Sequence, residues 1–217
     1  MNGLNMFTIF ETLFLLAIDD EEGDVIDSAV SVLEPALAGS VLAELVLLNR
    51  IKLEDGRITI TDQAPTEDRI LDKTLSAIQE AGRLRKLKYW INTLTYEKLL
   101  SEIGQSLVEK GVLVRKKKRL LLVVPYGEGS ARQISVKYGL KNHLREIVLG
   151  GQAADQREFV QLALLNECDL LSLVFTRGER KGAQKKIDTL IEGPGLSVGL
   201  GNALNEIIAV ATRDAKK

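Results

Sequence analysis

Twice along this 217-residue chain an amphipathic helical run leads straight into a two-stranded ribbon. The first copy runs from Val41 to Leu48, passes Asn49-Arg50, and continues as Ile51 to Glu54 and Arg57 to Thr61. Ile51 and Leu53 alternate with Lys52 and Glu54, and Ile58 and Ile60 alternate with Thr59 and Thr61, the period of a half-buried ribbon. Asp55-Gly56 between them favours a two-residue type I′ turn. The second copy runs from Glu102 to Lys110, stops at Gly111, and continues as Val112 to Val114 and Leu120 to Val124. Gly111 is placed to end its helix in the left-handed conformation. Such a unit has two uses: a winged helix that grips DNA, or a buried scaffold in a helical protein. Val41 to Leu48 is almost entirely apolar, and the second helix offers Glu102 and Glu109, which repel phosphate. The scaffold is the better reading. Nucleic-acid binding through winged-helix-like modules is the alternative, and no nucleic-acid partner is expected.

Helical spacing dominates elsewhere. Leu4, Phe7, Phe10, Phe14 and Ala17 share one face of a helix over 4–18. Another covers about Asp27 to Leu48, with a break expected near Pro35. Thr66 is placed as an N-cap, with Glu67 and Asp68 in the first turn of a helix reaching about Gln79. A helix is expected to begin in the basic run Arg83 to Trp90. Others follow at about 131–149, 155–165, 168–176 and 179–191, and the last carries Leu200, Ala203, Leu204, Ile207 and Ile208 on one stripe. The loop Glu192-Gly-Pro-Gly-Leu196 precedes it. The length suits one domain, and aromatic residues are only 5%, so the core should be aliphatic.

The chain offers little catalytic equipment, and no enzyme activity is expected. His143 is the single histidine and Cys168 the single cysteine, so no disulfide or metal knuckle forms within the chain. His143 reads as a surface residue and Cys168 as a small core thiol. Gly193-Pro-Gly195 and Gly199-Leu-Gly201 are too loose for a phosphate-binding fingerprint. The acidic run Asp19 to Asp24 lacks the ligand order of a calcium loop and reads as a solvated turn. No cofactor is expected. The apolar stretch Met6 to Ile18 lacks a basic leader and a cleavage pattern, and no other apolar run approaches a membrane span of about 20 residues. A cytoplasmic protein resting on a membrane surface is the expectation.

The net charge is -1, so attraction to an anionic partner must come from local clusters. One is Arg115, Lys116, Lys117, Lys118 and Arg119 at the second ribbon's tip. It serves either to keep an edge soluble or to contact phosphate. The other is Arg83, Arg85, Lys86 and Lys88 beside Tyr89 and Trp90, cations with aromatics suited to a membrane interface. The plainer reading of that cluster is a solvated helix face with Trp90 in the core.

Five segments in order resemble the Golgi phosphoprotein 3 family. They are Leu13 to Asp20, Ala43 to Ile51 with its hairpin, Asp62 to Leu75, Leu107 to Leu113, and Asp155 to Phe175. The resemblance implies a mainly α fold: a single-domain helical bundle decorated with small β-hairpins, spanning 1–217 with its core at about 7–212. It implies a non-catalytic peripheral membrane adaptor. Eukaryotic members recognise phosphatidylinositol 4-phosphate on Golgi membranes, bind cytosolic tails of glycosyltransferases and connect them to the vesicle coat. The expected partners are therefore an anionic membrane surface and cytosolic tails of membrane proteins, and oligomerisation is compatible with the sequence. The family's tryptophan and arginines of the lipid pocket fall on Ala29, Ala38, Glu97 and Leu100, which cannot supply cationic donors to a phosphate. No arginine-rich N-terminal segment for coat binding is expected. A divergent, prokaryotic member without specific phosphoinositide recognition is the expectation.

Overall fold

A computed structural model describes residues 6–20, 23–96, 98–114, 131–192 and 198–213. The protein is mainly α, with nine α-helices and one two-stranded antiparallel sheet among those residues. The helices are α1 (Ile9–Ala17), α2 (Leu33–Leu47), α3 (Arg69–Glu80), α4 (Leu87–Tyr96) and α5 (Leu99–Glu109), followed by α6 (Ala131–Val148), α7 (Gln156–Glu167), α8 (Arg180–Glu192) and α9 (Val198–Arg213). Strands β1 (Ile51–Glu54) and β2 (Arg57–Ile60) follow α2.

Helix α2 occupies the centre. Every residue from Ala36 to Val46 is buried, so this helix has no solvent-facing stripe. An all-round apolar helix must be enclosed, and α2 touches α1, α3, α4, α5, α7, α9 and β1. Its exit is local chemistry. Asn49 takes a left-handed conformation, its N–H bonds the carbonyl of Val46, and the N–H of Arg50 bonds that of Leu45. This double bond pattern is a Schellman stop. Helix α5 ends identically: Gly111 is left-handed, with N–H bonds from Gly111 to Val108 and from Val112 to Leu107. The two helix–hairpin units thus share their stop as well as their sequence pattern.

The first hairpin pairs Ile51 with Ile60 and Leu53 with Ile58. Asp55 and Gly56 both have positive φ, as a type I′ turn demands. Val112 and Leu113 are buried as the second unit leaves α5, but the second hairpin, including Arg115 to Arg119, lies outside the described residues. So does Gly193-Pro-Gly195.

Several expected boundaries moved. Pro35 sits in the first turn of α2, where its missing N–H costs nothing, and the break falls before Leu33, after a 3₁₀ turn at Asp27–Ala29. Asp68 rather than Thr66 caps α3, accepting from the N–H groups of Ile70 and Leu71, while Thr66 bonds Asp72. Residues 168–176 form no α-helix. Asp169 is left-handed and ends α7, leaving a 3₁₀ turn at Leu171–Leu173.

A Cβ added at Gly39 on α2 would stand 2.8 Å from Cβ of Ala211 on α9. Carbon atoms do not pack that closely, so glycine sets this crossing. Gly39→Ala gains about 1 kcal/mol of helix propensity but is expected to lose about 1–3 kcal/mol to overpacking. Urea unfolding of Gly39→Ala, Ala211→Gly and the double variant should give a favourable coupling of about 0.5–3 kcal/mol. Additive effects would mean that the two helices do not meet at this pair.

Candidate functional site

The basic run 83–89 does not begin as a helix. Its first part is held as extended chain along the free edge of β2. The N–H of Ile58 bonds the carbonyl of Arg85 at 3.2 Å, and the N–H of Leu87 bonds that of Gly56 at 2.9 Å. Arg57 and Lys86 form an antiparallel bridge, and the Arg57 guanidinium donates to the carbonyl of Leu84 at 3.2 Å. An exposed sheet edge offers unpaired backbone groups, and this segment satisfies them. Helix α4 starts only at Leu87.

This capture concentrates charge. Arg57, which sequence reasoning did not single out, joins Arg83, Arg85, Lys86 and Lys88. Its signal is register: it faces Lys86 across a pairing that no local pattern announces. Arg85 lies 4.5 Å from the centre of the Tyr89 ring, a cation–π contact. Among the described residues, Arg83, Arg85 and Lys86 form no ion pair with a carboxylate. Two large apolar side chains are exposed within the same segment, Leu84 at 56% and Tyr89 at 42%. Trp90 is in the core, 2% exposed, so the plainer reading of that residue holds. Acidic residues stand close by: Glu54 is the register partner of Arg57, and Glu206 approaches Gly56.

The buried titratable groups have a different character. Glu11 is fully buried and accepts from Thr8, from the Ser106 hydroxyl at 2.7 Å, and from the Lys110 ammonium at 2.6 and 2.7 Å. With Thr8 it forms a capping box at the start of α1. Glu44, also fully buried, accepts the N–H of Ile9 at 2.7 Å and Nε of Arg157 at 3.0 Å. Two carboxylates therefore meet the positive end of α1, where they are favoured. At its other end, Lys137 donates to the carbonyl of Ile18 and lies 3.1 Å from Asp20. The acidic turn is thus partly recruited as the partner of a buried lysine. His143 is half-buried against Glu158, the residue that closes the capping box of α7, rather than free at the surface. Arg145 grips Glu179 with two bonds of 2.6 Å, which together with Thr176 hold that carboxyl at a pKa of about 2. Each of these groups joins separate parts of the chain. Cys168 is buried. Among the described residues, no three His, Cys, Asp or Glu side chains gather to hold a metal.

The Golgi phosphoprotein 3 (GPP34) family model matches residues 9–211. The chain belongs to this family. The match begins at the first residue of α1 and ends within α9, so it takes in every element of the fold. For a Golgi phosphoprotein 3 family member, Ala29 and Ala38 are telling positions. Both are fully buried, and Leu100 is half-buried against the core. Glu97 lies outside the described residues. No helix among the described residues is long and apolar enough to cross a membrane.

Burial raises the pKa of Glu44 above 4.5, opposed by its bonds to Ile9 and Arg157. A carboxyl whose pKa is raised by folding contributes fully below its unfolded value, and that contribution falls as pH climbs through the folded one. Glu44→Gln keeps an acceptor for the N–H of Ile9. The wild-type protein should therefore lose stability relative to Glu44→Gln as pH rises above the ordinary carboxylate range, measured by urea unfolding at each pH. A difference independent of pH would show that the Arg157 pair cancels the burial penalty.

Proposed function

We propose that this chain is a non-catalytic peripheral membrane adaptor. It docks on anionic membranes through Arg57, Arg83, Arg85, Lys86 and Lys88, and holds cytosolic tails of membrane proteins there. It works as one unit over residues 1–217. The observation that carries the docking is the pairing of Arg57 with Lys86, in a run that also carries Arg83, Arg85 and Lys88 and exposes Leu84 and Tyr89. Cations neutralise an anionic surface while an exposed leucine and tyrosine enter its headgroup layer. Family membership supports the adaptor part. The enclosure of α2 speaks against a DNA-reading helix, because a buried helix has no face to place in a groove.

Charge rather than headgroup shape sets this docking. Ala29, Ala38 and Leu100 offer no donors to a phosphate. Flotation with phosphatidylglycerol-containing vesicles should succeed at low salt and fail with pure phosphatidylcholine. Arg83→Gln with Lys86→Gln should remove about 2 kcal/mol, about a 30-fold loss in partitioning. Equal failure on both vesicle types at low salt would refute membrane docking.

A further inference from the structure

Beneath the cationic segment lies a groove of about 340 Å³, lined on its apolar walls by Ile58, Ile60, Ile78 and Leu84, with Trp90 among its lining and Arg83 beside it. That volume falls at the small end of ligand sites, about 300–1,000 Å³. Two features mark it out. The indole N–H of Trp90 is buried and has no acceptor on the protein. Buried donors are normally bonded, and one left without an acceptor is unfavourable. The second feature is Leu84, which is at once part of the groove wall and 56% exposed in the cationic segment. The groove and the segment are therefore continuous.

We infer that the groove takes one acyl chain of an anionic phospholipid. The order of chemistry fits such a molecule. The apolar walls suit the chain, and exposed Arg83 suits the phosphate at its head. Arg85, Lys86 and Lys88 extend the positive charge outward. An apolar chain gains by leaving water for such walls. This inference rests on the membrane reading above but makes a separate demand: the lipid must reach Trp90, beyond the charges that attract it.

Trp90 is the single tryptophan of the chain, so its fluorescence reports the groove alone. Vesicles of phosphatidylcholine with phosphatidylglycerol brominated in mid-chain should quench most of the emission, while unbrominated vesicles should not. Ile60→Phe, which fills the groove, should still float with these vesicles and lose the quenching. Flotation without quenching, or quenching that survives in Ile60→Phe, overturns the inference and leaves electrostatic docking intact. A short-chain brominated phosphatidylglycerol, used as monomers, separates the two ideas. If it quenches although the protein does not float, the groove stands and membrane docking falls. If neither occurs, both fall.

Discussion

The enclosure of α2 is the constraint from which the rest of the architecture follows. A helix buried on every side has to be surrounded before it is stable, and α1, α4, α5, α7 and α9 supply that surround. Glu44 makes this requirement stricter. Its carboxylate sits inside the bundle, and taking a charge out of water costs several kcal/mol unless it is bonded. The bonds come from the backbone of α1 and the side chain of α7, so three helices must be in place together. Glu11 repeats the logic between α1 and α5 through Lys110 and Ser106. Helix α1 is consequently tied at its start by two carboxylates and at its end by Lys137. These ionic groups fix the relative placement of helices that a purely aliphatic core would leave freer to slide.

What could be read from the sequence was what short-range chemistry decides. Asp55-Gly56 announced its turn, Gly111 its helix stop, and the alternation of isoleucines the buried face of the ribbon. The stripe of α9 told which of its faces packs inward, and the apolarity of Val41 to Leu48 told that α2 lies inside. Long-range pairing was not legible. The basic run Arg83 to Trp90 has helical composition, yet β2 takes its first residues as an edge partner. Buried polar groups were equally hidden. Nothing around Glu44 signals that its partners are Ile9 and Arg157, 35 and 113 residues distant. For the candidate site, the run of Arg83, Arg85, Lys86 and Lys88 and the burial of Trp90 were legible, but the pairing of Lys86 with Arg57 came only from tertiary structure. The Arg115 to Arg119 cluster lies outside the described residues.

The segments that carry the family resemblance are explained by loop construction as much as by function. In Asp62 to Leu75, Arg50 pairs with Asp62 and donates to the carbonyl of Pro65. Thr66 and Asp72 bond each other, and Asp68 caps α3. Together they steer the chain from the hairpin into α3. That placement matters for the site, since Ile78 on α3 and Ile60 on β2 become opposite parts of the Trp90 groove. The loop is therefore scaffold for the candidate site rather than part of it.

The same packing bears on where lipid recognition can reside. An arginine in place of Ala29 or Ala38 would have to be accommodated at fully buried positions, and Ala38 lies on α2 itself. A buried guanidinium needs a carboxylate or phosphate partner to offset its lost hydration. Within this packing, small side chains at those positions let α2 remain enclosed, and cations for a phosphate must come from elsewhere. The segment from Arg83 to Lys88, which we propose as the docking surface, carries such cations without disturbing the core, because the hairpin holds its backbone at Arg85 and Leu87. The arrangement ties the charge of the surface to the hairpin: loosening β2 would release the same segment that carries Arg83, Arg85 and Lys86.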